Sequence, residues 1–239
     1  MTSDVLEVDK VTKRFGGFQA LTSISLRVRE GERFGLIGPN GSGKTTLINC
    51  ISGMLRNDEG RIVFAGRDIT SVPAHGRTRL GIARSFQIPR PFASMTVLEN
   101  LIVPLEYAAG THGAEAVEQA HEILRLMGLD DKARARAAAL TQIDMRKLEL
   151  ARAMAARPKL LVADEAMAGL SSAEVDDILT ILFRLNERGI TIIMIEHIMR
   201  AVMRFSERIA VLDAGEKIAE GPPDEILANQ AVERAYLGE

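Results

Sequence analysis

Residues 38–45 read Gly38-Pro39-Asn40-Gly41-Ser42-Gly43-Lys44-Thr45, with Thr46 following. The stretch matches G-x-x-x-x-G-K-[ST]. A short apolar run, Phe34-Gly35-Leu36-Ile37, precedes it, and a helical pattern over Thr45–Met54 that stops near Gly53 follows it. A strand, a glycine loop and a helix in that order give the motif a mechanism. The glycines let successive backbone N–H groups fold into an anion-binding nest. The helix N-terminus adds its partial positive charge. Lys44 then reaches the β- and γ-phosphates, and the Thr45 hydroxyl is placed to ligate Mg²⁺. The loop therefore assigns residues 38–46 to a phosphate chain and makes the fold α/β.

Outward from the loop the chain changes character three times. The first third reads as strands: Val5–Lys10 and Ser23–Arg29 alternate apolar with polar, and Arg61–Ala65 and Arg67–Thr70 flank Gly66 as a hairpin. The middle third reads as helices. Thr96–Leu105 opens with a threonine N-cap and Glu99 at the capping-box spacing. Ala114–Met127 ends at Gly128, and Arg146–Ala156 ends before Pro158. The last third returns to α/β. Leu160–Ala163 and Ile190–Ile195 are unbroken apolar strands, as in a parallel sheet covered on both faces, with helix Ser172–Glu187 between them. Ile209–Leu212 and Lys217–Ala219 read as a hairpin, and Pro222-Pro223 opens a helical tail.

Composition excludes several classes. The 239 residues carry 30 Lys+Arg against 32 Asp+Glu, a net charge of −2, so no nucleic-acid partner is expected. The lone Cys50 rules out an internal disulfide framework and a cysteine-cluster zinc site. No apolar run reaches the roughly 18 residues of a membrane span. The start, MTSDVLEVDK, lacks the pattern of a signal peptide, so a cytoplasmic protein is expected.

Three further places carry chemistry. Leu160-Leu161-Val162-Ala163-Asp164-Glu165 is an apolar strand ending in two carboxylates. Alone these would be solvated acids. Beside a phosphate loop, Asp164 reads as the Mg²⁺-site residue and Glu165 as the group that activates water. His197 follows the Ile190–Ile195 strand, at the edge where open α/β sheets bind ligands, and is expected to contact the γ-phosphate. Gln87, in Ser85-Phe86-Gln87-Ile88-Pro89, is an ordinary loop glutamine or a member of the Mg²⁺ and water network that follows lobe movement.

Taken in order, with a helical block between strands, these elements resemble the nucleotide-binding subunit of ATP-binding cassette (ABC) transporters over essentially the whole chain. The resemblance implies a RecA-like P-loop core with an antiparallel β subdomain and an inserted α-helical subdomain. The expected boundaries are 1–86 and 157–221 for the core, 87–156 for the Q-loop and helical insert, and 222–239 for the tail. Residues 38–46 resemble Walker A, Gln87 the Q-loop, residues 160–165 Walker B with the catalytic glutamate, and His197 the switch histidine. The implied cofactors are ATP and Mg²⁺, the ion held by Thr45, Gln87 and Asp164, the aspartate directly or through water. Lys44, Gln87, Glu165 and His197 take the catalytic roles. Phe15 occupies the adenine-stacking position, where Phe serves as well as Tyr.

Phe86-Gln87-Ile88-Pro89-Arg90-Pro91-Phe92, Met95–Asn100, Ile195-Glu196-His197 and the ending Ala235-Tyr236-Leu237-Gly238 resemble the ATPases of branched-chain amino-acid importers, with the lipopolysaccharide-export ATPase as an alternative. That family implies two ATPase subunits, as a homodimer or heterodimer, on the inner face of the plasma membrane beneath two permeases, served by a periplasmic solute-binding protein.

One stretch departs from the family. Its signature Leu-Ser-Gly-Gly-Gln corresponds to Leu140-Thr141-Gln142-Ile143-Asp144. Thr141 keeps a hydroxyl that can face a phosphate across the dimer, but Ile143 replaces a glycine whose bare backbone approaches that phosphate. A second reading follows, a nucleotide-gated dimer subunit that hydrolyses little. Ala166 and Ser171 also stand where Pro and the D-loop aspartate are common. The remaining features are expected to be bland: Cys50, Met194, Met199 and Met203 as packing, and Arg84 and Arg90 as a solvated face rather than a permease contact.

Overall fold

The computed structural model describes residues 3–86 and 89–237. These divide into two compact units. The first comprises residues 1–77 and 191–239 and the second residues 78–190.

In the first unit, β1 (Asp4–Phe15) and β2 (Phe18–Arg29) form an antiparallel hairpin that turns at Gly16-Gly17, with Phe15 opposite Phe18. Both strands run past the expected Val5–Lys10 and Ser23–Arg29, because Val11 and Leu21 continue the buried row. β4 (Glu59–Phe64) pairs with β1, and the two-residue β5 (Arg67–Asp68) pairs with β4. The resulting antiparallel sheet has the order β2-β1-β4-β5. A second set of strands carries the phosphate loop. β3 (Arg33–Ile37) lies parallel between β8 (Thr191–Ile195) and β9 (Arg208–Asp213), and β10 (Glu216–Gly221) closes a hairpin with β9. β8 is buried along its whole length and β3 past its first residue, the burial their unbroken apolar runs predict.

Helix α1 (Lys44–Ser52) follows β3 and ends on Gly53 in the left-handed conformation. Helix α2 (Ala74–Leu80) has no counterpart in the sequence reading, and it presents Arg77 to the end of α1.

In the second unit β6 (Ile82–Ser85) pairs in parallel with β7 (Leu160–Asp164). Between them lie α3 (Val97–Tyr107), α4 (Gly113–Met127) and α5 (Gln142–Ala155), which pack on one another. The Thr96–Glu99 capping box forms as expected. Helix α5 starts four residues before the expected Arg146, so residues 142–144 are its first turn. Helix α6 (Ser172–Glu187) follows β7. Ser171, noted above only as a departure from the family, caps it reciprocally with Glu174. In the first unit α7 (Met199–Phe205) links β8 to β9, and α8 (Pro223–Leu227) and α9 (Gln230–Leu237) form the tail. Among the described residues no helix is long and apolar enough to cross a membrane.

Candidate nucleotide site

The phosphate loop leaves β3 through Gly38, whose φ is +148°, and a Cβ there would lie 2.0 Å from the Leu212 carbonyl oxygen. Gly43 is the N-cap of α1 at φ +102°, and its Cβ would meet Ala20 O at 2.8 Å and Leu21 Cδ2 at 2.9 Å. Only glycine satisfies both the backbone angle and the space. Gly215 N donates to Ser42 O at 3.1 Å and its carbonyl accepts from Thr22 N at 2.8 Å, so β2 and the β9–β10 turn brace the loop.

Within this frame Lys44 is 7% exposed. Its Nζ donates to Gly38 O at 2.7 Å and Pro39 O at 2.9 Å, which arches the loop over its own lysine. Among the described residues no side-chain cap and no first-turn carboxylate occupies the N-terminal amides of α1, which suits a phosphate chain. The Thr45 side chain lies on the exposed surface of the same turn.

Two more predicted residues belong to this unit. Phe15 sits at the end of β1, 47% exposed, with Lys13 Nζ 5.6 Å from its ring centroid. An open aromatic face beside a cation suits a stacked base on a polyphosphate. His197 follows β8, with buried Glu196 before it and α7 after it. β3 and β8 are parallel, with Gly35 level with Met194, so His197 and the phosphate loop leave the sheet at the same edge.

The second unit carries the carboxylates. Asp164 ends β7 and is 5% exposed. Glu165 follows with φ +48°, a left-handed backbone that a non-glycine residue adopts at some cost. That turn ends the strand at Asp164. Arg84, read from sequence as part of a solvated face, is instead bound to Asp164. Its Nη2 and Nε donate to Oδ2 at 2.6 and 3.1 Å, and the two side chains are 10% and 8% exposed. A charged residue in a four-residue strand looks solvated from sequence because its partner lies 80 residues away. Arg90 is exposed, as expected. Gln87 lies outside the described residues.

Thr141 is the N-cap of α5, and the helix N-terminus expected there is present. Its hydroxyl is engaged within the chain: it donates to Asp144 Oδ2 at 2.7 Å and accepts from Asp144 N at 3.3 Å. Lys132 Nζ also donates to Asp144 Oδ2 at 2.6 Å. Burial pushes the Asp144 carboxyl up, but the bonds from Lys132 and Thr141 outweigh it and hold it below the ordinary carboxylate range. The spacing Thr141-x-x-Asp144 carries this cap in the sequence, where only the comparable pattern at Thr96 was used. Further along the helix, Gln142 Nε2 donates to Gly169 O at 3.3 Å and Arg146 Nη2 to Ala168 O at 3.0 Å, tying the signature helix to the loop after Glu165.

Sequence reasoning placed Tyr236 in the family's ending but gave it no role at the loop. Burial raises the pKa of its phenol above the ordinary value, and a hydrogen bond from the Gly38 amide partly offsets this. The C-terminal helix thereby reaches the first residue of the phosphate loop.

Comparison with known proteins bears on these features. The family profile described as ABC transporter matches residues 21–168. A second, described as Branched-chain amino acid ATP-binding cassette transporter, matches residues 216–239. The chain is 38% identical over full length to the high-affinity branched-chain amino acid transport ATP-binding protein BraF of Pseudomonas aeruginosa, and each protein is covered completely. It superimposes with a TM-score of 0.91 on the ADP conformation of MJ1267, an ATP-binding cassette of an ABC transporter, at 36% identity and complete coverage of both chains. The dimeric post-hydrolysis state of the cassette MJ0796, bound to ADP and Pi, superimposes at 0.81 with 28% identity, covering 91% of this chain and 98% of that one. The identity to BraF and the span of the first profile settle the family: this chain is an ATP-binding, ATP-hydrolysing subunit of the ABC transporter family.

Proposed function

We propose that the chain powers import of branched-chain or related amino acids, from the inner face of the plasma membrane, through permeases to which it binds as one of two ATPase subunits. A periplasmic solute-binding protein supplies the solute. The observation that carries this reading is the uncapped α1 behind a glycine cradle that Lys44 arches, in a chain similar over its full length to a branched-chain amino-acid transport protein.

Roles follow from the groups. The amides of residues 41–46 and Lys44 bind the phosphates, Phe15 stacks on the adenine, and Gln87 and His197 attend the γ-phosphate. Thr45 and Asp164 offer hard oxygens that suit Mg²⁺, and the ion, when bound, neutralises charge on the β- and γ-phosphates. Glu165 orients or deprotonates the attacking water. We keep the functional division into a core of 1–86 and 157–221, a helical insert of 87–156 and a tail of 222–239.

A second reading has its own support. Asp144 puts a carboxylate in the first turn of the signature helix and engages Thr141. A negative charge at a helix N-terminus opposes a second anion there. On this ground the chain's own signature is a poor phosphate partner, and the working transporter pairs this chain with a second ATPase bearing an intact signature.

The test is reconstitution with permeases and binding protein in vesicles. ATP-dependent uptake of leucine, isoleucine or valine that disappears with Lys44→Ala supports the proposal. Uptake indifferent to Lys44→Ala, or a complex that moves no amino acid, refutes it.

A further inference from the structure

We infer that Arg84 is a positioning residue for Asp164: it holds the carboxylate from the strand leading to Gln87 and competes, through its charge, with Mg²⁺ for that carboxylate. The inference rests on the proposed assignment of Asp164 to Mg²⁺.

β6 and β7 are parallel, with Arg84 level with Val162 and Ser85 level with Ala163, so Arg84 stands two residues behind Asp164 on the neighbouring strand. The guanidinium reaches forward along the strand direction and places both donors on Oδ2, leaving Oδ1 outside the pair. The guanidinium carbon also lies 5.5 Å from the Phe86 ring centroid, within the range of a cation–π contact. Arg84 therefore ties Asp164 to the two residues that lead directly to position 87.

The charge arithmetic follows from burial. With side chains 10% and 8% exposed, solvent screens the pair weakly. A guanidinium and a divalent cation on one carboxylate are like charges sharing one anion, and each weakens the other's hold. By thermodynamic reciprocity, whatever Arg84 subtracts from Mg²⁺ affinity, Mg²⁺ subtracts from the Arg84–Asp164 bond.

The test uses the full-length chain as parent, Arg84→Met, Arg84→Lys and Asp164→Asn. Two quantities are read: the Mg²⁺ concentration for half-maximal ATP binding, and the thermal midpoint without nucleotide in EDTA and in Mg²⁺. In Arg84→Met the half-saturating Mg²⁺ concentration should fall by about 5- to 100-fold, the usual span of a site–site coupling. The midpoint should fall in EDTA and recover further in Mg²⁺ than the parent's does, because the ion replaces the missing countercharge. Arg84→Lys, which keeps the charge but not the planar fork, should lie between the two. A Mg²⁺ requirement in Arg84→Met equal to or above the parent's overturns the inference. Should Arg84→Met fail to fold, a requirement in Arg84→Lys unchanged from the parent's does the same. Asp164→Asn separates the two levels. An unchanged requirement there overturns the metal assignment itself, whereas a changed one beside an unchanged Arg84→Met overturns only the role of Arg84.

Discussion

Arg77→Met should destabilise the chain out of proportion to an arginine on a short helix. Arg77 is 1% exposed, and burial pulls its pKa below the ordinary arginine value. Among the described residues no carboxylate pairs with it. Four carbonyls meet its charge: Cys50 O at 2.5 Å and Ile51 O at 2.9 Å from Nη1, Thr70 O at 3.1 Å from Nη2, and Val72 O at 2.8 Å from Nε. Two of those acceptors belong to the last turn of α1, the helix whose other end is the phosphate loop. Four bonds to a charged donor, at roughly 1.5–3 kcal/mol each, do not add, because they share one guanidinium whose burial also costs. Removing Arg77 leaves neutral carbonyls short of a donor, at roughly 1–3 kcal/mol for each one left unsatisfied, which puts the loss at about 3–5 kcal/mol if two or so find no new partner. Methionine fills the stem and leaves four carbonyls without their donor. For a chain of this length that loss corresponds to a drop of about 6–20 °C in the thermal midpoint. Urea unfolding of the parent, Arg77→Met and Arg77→Lys measures it, with Lys, a single point charge, retaining part of the stability. A loss below about 1 kcal/mol in Arg77→Met would refute the claim that Arg77 anchors α1.

Lys44→Ala removes a cation proposed to bind the phosphates. Calorimetry should show ATP affinity lower by about 10- to 100-fold, the value of one or two charge-assisted bonds, with the fold retained. Ile143→Gly should raise hydrolysis by the isolated chain, read by phosphate release, because a bare backbone readmits the partner's γ-phosphate; no gain would count against an impaired signature. The pH dependence follows from Asp144, whose folded pKa lies below its unfolded one. Its contribution is fully present above the ordinary carboxylate value and is lost as pH falls through the folded pKa. The unfolding free energy should therefore fall more between neutral and acid pH in the parent than in Asp144→Asn, in which this term is absent; equal losses would show that Asp144 contributes nothing.

How much of this was legible in the sequence depends on how local the cause is. The phosphate loop was readable because its glycines, lysine and flanking strand and helix lie together in residues 33–52, and each has a steric or electrostatic reason at its own position. The Thr96–Glu99 box and the buried strands Leu160–Asp164 and Thr191–Ile195 were readable for the same reason. Helix α2 and strand β6 escaped because three arginines lie within residues 77–84 and hide the apolar pattern. Arg84 is held by a carboxylate 80 residues away and Arg77 in part by carbonyls 26 and 27 residues away, and a single sequence does not reveal such partners. The signature was legible as a departure, but its consequence was not. That Asp144 engages the Thr141 hydroxyl depends on rotamers and on Lys132 from another turn.

The central claim is that this chain hydrolyses ATP to drive transport, with Glu165 activating the water. The most direct measurement compares steady-state ATP hydrolysis and ATP binding by the chain assembled with its permeases, for the parent and for Glu165→Gln. In Glu165→Gln hydrolysis should be lower by at least ~10²-fold, with ATP binding retained and an ATP-bound dimer accumulating. A Glu165→Gln complex that hydrolyses ATP at the parent's rate would contradict it.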